Sequence, residues 1–254
     1  MSFLAALQFL TSIPVKIKRE LTPQQVGRAT AWFPVVGLII GGMLALFNWL
    51  LDFILPQSVT NALLIVALVL ITGAMHLDGF ADTCDGLAGY KTVEERWKVM
   101  RDSRTGAFGV VGVVLLLLTK YVSLNNIPAD VMLPALLFMP VVSRWAMVYA
   151  VFAFPYARPE GLGTAYKQAT RWPQFTIASV FTLTIAAALY PLFSVAGFVT
   201  FGGIFFVISL LALYFKNKFA GLTGDTYGAI NESAEVMALI LIIIIYSNTS
   251  LRGA

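Results

Sequence analysis

Residues 76 to 87 read HLDGFADTCDGL and set Asp78, Asp82 and Asp85 directly after the apolar run NALLIVALVLITGAM. Their pattern, D-x-x-x-D-x-x-D, steps by four and then three residues. On a helix that brings all three side chains onto one face, with neighbouring Cβ atoms about 5–6 Å apart. Carboxylates held so close repel one another unless a cation sits among them, and a lone carboxylate at membrane depth needs a partner, a proton or water. The chemistry this implies is Mg²⁺ binding, because that ion takes oxygen ligands and keeps substrate phosphates and water in its remaining positions. Gly79, Gly86 and Gly89 lower helix propensity, which leaves loop open for part of the segment, and they let a bulky ligand come close to the backbone. A merely solvated acidic loop is the plainer alternative. The absence of any lysine or arginine between Met75 and Tyr90 argues against it.

A second acidic group, Asp225, Glu232 and Glu235, lies in GLTGDTYGAINESAEVMALILIIIIY, spaced by seven and three residues and again on one helical face. If the two groups face each other, Asp78, Asp82, Asp85, Asp225 and Glu235 can hold one or two metal ions, with Asp225 and Glu232 also near substrate. The alternative for Glu232 and Glu235 is that they only open the last helix, where acids complement its dipole. Arg101 and Arg104, in MRDSRTGAFG, offer planar forks for phosphate oxygens, or else serve as ordinary basic anchors. Arg144 sits inside the apolar stretch MPVVSRWAMVYAVF, where snorkelling is difficult, so it needs an anion: one of these acids or a substrate phosphate. His76, the single histidine, is a candidate base or ligand, with an interfacial hydrogen-bonding role as the alternative. Cys84 reads as a small spacer between Asp82 and Asp85.

The elements that carry these residues follow from composition. Of 254 residues, 59% are hydrophobic and 12% charged, against about 45–50% and about 25% in soluble domains. That balance describes an all-α integral membrane protein. Roughly six or seven apolar stretches are long enough to cross or nearly cross a bilayer: 30–51, 61–75, 107–124, 131–153, 175–190, 196–215 and 234–246. The second and last are short, which implies that their polar ends continue as helix into a cavity. The N-terminal MSFLAALQFLTSIPV has neither the basic start nor the cleavage site of a signal peptide and is too short to span, so it reads as an interfacial or re-entrant helix. Fourteen of the 17 lysines and arginines fall in alternate connections: Lys16, Lys18, Arg19 and Arg28; Lys91, Arg96, Lys98, Arg101 and Arg104; Arg158, Lys167 and Arg171; Lys216 and Lys218. The opposite turns, LDFILPQSV, NNIPAD and YPLFSV, carry none, so the basic side is expected in the cytoplasm. Lys120 and Arg252 are mild exceptions. With no linker or fixed-period repeat, residues 1–254 read as one polytopic domain.

In this order, FLAALQFLTSIPV, FPVVGLIIG, HLDGFADTCDGL, MRDSRTGAFG, SRWAM, EGLGTAY and GLTGDTYGAINESAE resemble the cobalamin synthase family, the adenosylcobinamide-GDP ribazoletransferases of prokaryotic cytoplasmic membranes. The resemblance runs from residue 3 to about residue 236 and rests on seven motifs agreeing. It implies the last assembly step of vitamin B12: the 5′-hydroxyl of α-ribazole, or of its 5′-phosphate, attacks the phosphate attached to the cobinamide and GMP leaves, with Mg²⁺ required. Under that reading Asp78, Asp82 and Asp85 hold the metal and Arg104, with Arg101 or Arg144, adds positive charge. One of the acids or His76 takes the nucleophile's proton. Partners are these small molecules and the bilayer, nucleic acid is not expected, and a homo-oligomer stays open. The acidic segment is also loosely similar to the CDP-alcohol phosphotransferases, although its spacing differs. A prenyl-transfer enzyme using aspartate-bound Mg²⁺-diphosphate shares the same physics, and an ion-coupled transporter is a more distant alternative. The transporter is disfavoured because the acids sit at one face rather than near the midplane, and no inverted repeat is visible.

Overall fold

The structure, a computed structural model, describes residues 1–15, 22–89, 92–158 and 162–250. Lys16, Lys18, Arg19, Lys91 and Arg252, together with Glu160 and Gly161 of the EGLGTAY stretch, lie outside the described residues. Those described are helical throughout, apart from connections and one isolated bridge between Tyr156 and Leu222. The helices are α1 Ser2–Leu10, α2 Pro23–Ala29, α3 Phe33–Asp52, α4 Gln57–Thr72, α5 Met75–Leu87, α6 Val93–Val99 and α7 Ala107–Asn125. They continue as α8 Ala129–Ala153, α9 Leu162–Ala169, α10 Trp172–Ala188, α11 Tyr190–Phe193, α12 Ala196–Phe219 and α13 Gly224–Ser250.

Among the described residues five helices are long and apolar enough to cross a membrane: Gln25–Asp52, which joins most of α2 to α3, and α7, α8, α12 and the Gly224–Ser247 part of α13. The pair α4 and α5 would add a sixth if counted together, but it is bent by 93°. The stretch at 175–190 becomes α10, an apolar helix of 17 residues. The all-α membrane architecture is therefore as expected. Two of the apolar stretches, α4 and α10, are too short to cross by themselves.

α8 is the hub. Of its most apolar window 89% is buried, against 28% for α7 and for α12, so α8 is enclosed by other helices while its neighbours turn apolar faces outward. Leu46, Trp49, Leu70, Val110, Leu118 and Phe206 belong to that outward, lipid-compatible surface. α3 comes close against α8 through Gly37 and Gly41, where a Cβ on Gly41 would stand 2.7 Å from the Leu136 carbonyl oxygen. Small residues four apart permit this approach between spanning helices. Pro140, lacking an N–H, frees the Leu136 carbonyl from its usual helical donor at that same contact.

The short second span ends for a local reason. Gly73 and Ala74 both take the left-handed conformation, with φ of 62° and 57°, which stops α4 and swings the chain into α5. Ser12, just past α1, fastens the turn: its amide donates to the Ile71 carbonyl at 2.7 Å and its hydroxyl to the Leu70 carbonyl at 2.7 Å. The N-terminal segment thus ties off the end of α4. The glycine-bearing run from His76 to Leu87 is helix over its whole length, because packing against α13 and α7 outweighs weak intrinsic propensity. α6 then holds the far end of α5: the Arg96 guanidinium donates to the Gly86 carbonyl at 2.8 Å, and the Trp97 indole donates to the Phe219 carbonyl at 3.2 Å.

Candidate functional site

α5 crosses the start of α13 at two glycines. A Cβ on Gly79 would stand 2.8 Å from the Asp225 carbonyl oxygen, and one on Gly228 would stand 2.9 Å from the His76 carbonyl oxygen. Only hydrogen at these positions lets the backbones meet, and the contact brings Asp78 and Asp225 to the wall of one cavity. Asp82 lies one turn beyond Asp78 on the same face, within the electrostatic reach of Asp78, Asp225 and Arg158. The expected meeting of the two acidic groups therefore occurs, through Asp78, Asp82 and Asp225.

A short β-like contact positions the arginine of this site. The Leu222 amide donates to the Pro155 carbonyl at 2.8 Å, and the Ala157 amide donates back to the Leu222 carbonyl at 2.8 Å. This sets Arg158 beside the N-terminus of α13, where its guanidinium donates to Asp225 Oδ2 at 3.0 Å. Thr223 and Thr226 cap that terminus reciprocally, with the Thr223 amide 2.7 Å from the Thr226 hydroxyl oxygen. The sequence had grouped Arg158 only among the basic anchors. The 67-position separation of Arg158 and Asp225 hides the pair, and the one local signal is an arginine in the FPYARP stretch. Burial pushes the neighbouring Tyr156 phenol up, so it stays protonated at neutral pH.

The remaining acids are committed elsewhere, which corrects the grouping drawn from spacing. Asp85 is buried, and its two oxygens accept the amides of Gly106 at 2.7 Å and Gly109 at 2.8 Å. It is an anion seated on the N-terminus of α7, where the first amides have no helical acceptor. Glu232 and Glu235 are buried inside the bundle with Lys120, whose Nζ lies 2.6 Å and 2.5 Å from their carboxylates. Glu235 also accepts from Arg144, which is fully buried and bonded to the Ser143 hydroxyl as well. The anion Arg144 required is thus a glutamate of the chain itself. Lys120, set aside as an exception to charge asymmetry, is the second cation of the cluster. Its position in the apolar run LLLLTKYVSL carried the same signal as that of Arg144.

Arg104 is 87% exposed and grips Asp102 through its Nε and a terminal nitrogen at 3.1 Å and 2.9 Å. That hydrogen-bonded pair pulls the Asp102 carboxyl down to about 2. Arg101 is exposed on the same connection, near enough for its charge to act on Tyr156. His76 is 2% exposed, lines the cavity beside Asp78, and finds no hydrogen-bond partner for either ring nitrogen among the described residues. It is an interior residue rather than an interfacial one.

Among the described residues, no three of the histidine, cysteine, aspartate and glutamate side chains converge as a closed metal cage. Mg²⁺ does not require one: it is commonly held by one or two carboxylates and completed by water and substrate phosphates. Asp78 and Asp82 are acids of the site whose side chains make no hydrogen bond or ion pair among the described residues, and their carboxylate oxygens suit that ion.

Fold and site together define a class: a polytopic helical membrane protein with uncommitted carboxylates, an arginine-held aspartate and an internal cavity gathered at one end of the bundle. The chain belongs to the cobalamin-5-phosphate synthase family, whose model matches residues 2–243. It is 38% identical over 243 residues to the adenosylcobinamide-GDP ribazoletransferase of Geotalea daltonii, covering 96% of this chain and 97% of the relative. The protein of the same description from Roseiflexus sp. is 37% identical over 92% of this chain and 86% of its own length. That from Thermosynechococcus vestitus is 36% identical over 94% of each. No solved structure matches the chain.

Proposed function

We propose that this chain is the transferase of the final cobalamin assembly step. It joins α-ribazole, or α-ribazole 5′-phosphate, to adenosylcobinamide-GDP and releases GMP. The observation that carries the proposal is the family match along almost the whole chain, to residues that include every member of the acidic site. That match does not favour the transporter or the other diphosphate-transferase readings.

The reaction is a phosphoryl-type transfer, in which a protein contributes mainly position and opposing charge. The ribazole 5′-oxygen forms a bond to the phosphorus carried by cobinamide, and the bond from that phosphorus to the bridging oxygen of GMP breaks. The hydroxyl proton passes to one of the site's carboxylates or to His76, which lines the cavity and has no hydrogen-bond partner among the described residues. Asp78 and Asp82 are the residues that would hold Mg²⁺, which when bound would supply positive charge to offset that of the diphosphate and its leaving group. Arg158 keeps Asp225 oriented at the cavity and adds positive charge beside it. Arg101 and Arg104, on the adjoining exposed connection, meet the outer part of the nucleotide. The protein lies in the cytoplasmic membrane with its basic connections, and hence this site, facing the cytoplasm.

The test is purified protein in detergent or nanodiscs, given adenosylcobinamide-GDP and α-ribazole with and without EDTA. EDTA-sensitive GMP release accompanied by a new cobalamin is the expected result. No GMP from folded protein that binds Mg²⁺ would overturn the assignment.

A further inference from the structure

The cavity between α1, α3, α5, α8, α9 and α13 measures about 210 Å³. An enclosed apolar space of about 150 Å³ takes up benzene, so this one suits a two-ring system and is far too small for a corrin macrocycle. Its wall carries an aromatic cluster: Phe9 lies 4.8 Å from Tyr166 and 5.8 Å from Phe33, measured between ring centroids. Phe9 and Phe33 are near parallel, with 20° between their planes. Met147 closes another side and is buried.

Polarity runs along the cavity. Asp78 is exposed and Asp225 partly so, which marks their end as the open one, whereas Phe33, Met147 and Tyr227 are buried. Tyr227 is 5% exposed and lines the cavity, and its hydroxyl is buried without a hydrogen-bond partner among the described residues. A buried O–H left unpaired costs stability unless a ligand completes it.

Resting on the proposed function, we infer that this cavity is the subsite for the base of α-ribazole. The base's two fused rings lie among Phe9, Phe33, Tyr166 and Met147, and Tyr227 donates its O–H to the one unsubstituted ring nitrogen. The ribose then extends toward Asp78 and Asp225, which is where its 5′-hydroxyl must meet the diphosphate. A guanine is also bicyclic, but it presents donors and acceptors on several edges, and the aromatic wall offers them no partners. A dimethylbenzimidazole has a single acceptor and an otherwise apolar rim, which is what the cavity matches. The corrinoid and its nucleotide lie outside, over the acids.

The experiment uses the full chain in nanodiscs and measures KM for each substrate with the other saturating. Tyr227→Phe keeps the ring and removes the donor. It should raise the KM for α-ribazole about tenfold, the worth of one well-made hydrogen bond, and leave that for adenosylcobinamide-GDP unchanged. As a second measurement free of folding risk, the wild type is given ribosides of bases with one additional fused ring, whose KM should rise steeply while kcat changes less. A KM change confined to adenosylcobinamide-GDP, or indifference to both perturbations, would overturn the subsite. Absence of GMP release by the wild type would instead overturn the proposed function, so the two failures are distinguishable.

Discussion

Lys120→Met removes a charge from the middle of the bundle while preserving an apolar stem. In the native structure two cations, Lys120 and Arg144, balance two carboxylates, Glu232 and Glu235, and all four are almost wholly buried. Without Lys120 the cluster carries a net negative charge, and Glu232 loses its one ion-pair partner among the described residues. Removing one member of a buried pair costs about 3–5 kcal/mol, because the charge left behind is neither solvated nor matched. At about 2–4 °C per kcal/mol for a chain of this size, the midpoint of thermal unfolding should fall by on the order of 10 °C. Adding Glu232→Gln restores neutrality and leaves Arg144 with Glu235, so the double variant should regain about half the loss or more. Reversible unfolding in mixed SDS micelles, run as a double-mutant cycle, reads the coupling directly. A loss below about 1 kcal/mol for Lys120→Met, or a double variant no more stable than the single, would refute the account of the cluster as a closed, mutually neutralised set.

Other expectations follow from the site. Asp82→Asn keeps volume and removes charge, so it should abolish Mg²⁺-dependent turnover with unfolding in detergent unchanged; near-normal GMP release would remove Asp82 from the site. Gly79→Val drives a side chain into the Asp225 backbone, which stands only 2.8 Å from an added Cβ. Separating α5 from α13 by about 1 Å should lower kcat on the order of 100-fold, and a kcat within twofold of wild type would show that the helix crossing does not set the geometry. Single cysteines placed at Lys218 and at Phe53 in a Cys84→Ala background should be labelled from opposite faces of sealed vesicles, Lys218→Cys from the cytoplasmic face. Labelling from one common face would invalidate the orientation.

Much of this protein was legible in the chain because hydrocarbon is an unforgiving solvent. Apolar length and the scarcity of charge fix an all-helical membrane architecture, since only internally bonded backbone survives there. The same scarcity makes each charge in or beside an apolar run conspicuous: Asp78, Asp82, Asp225 and Arg144 all stand out by type and position alone. Spacing, however, specifies only which side chains share a face of one helix. It treated Asp78, Asp82 and Asp85 as equivalents and Glu235 as a companion of Asp225. The tertiary structure separates them, because pairing depends on what stands opposite. The free amides at the start of α7 claim Asp85, while Lys120 and Arg144, from two other helices, claim Glu235. Two glycines 149 residues apart, Gly79 and Gly228, then let α5 and α13 touch and bring Asp78 to Asp225. The chain thus dictates which groups must find partners in a low-dielectric interior, and only the packing of distant helices decides which find them within the protein and which remain for a ligand.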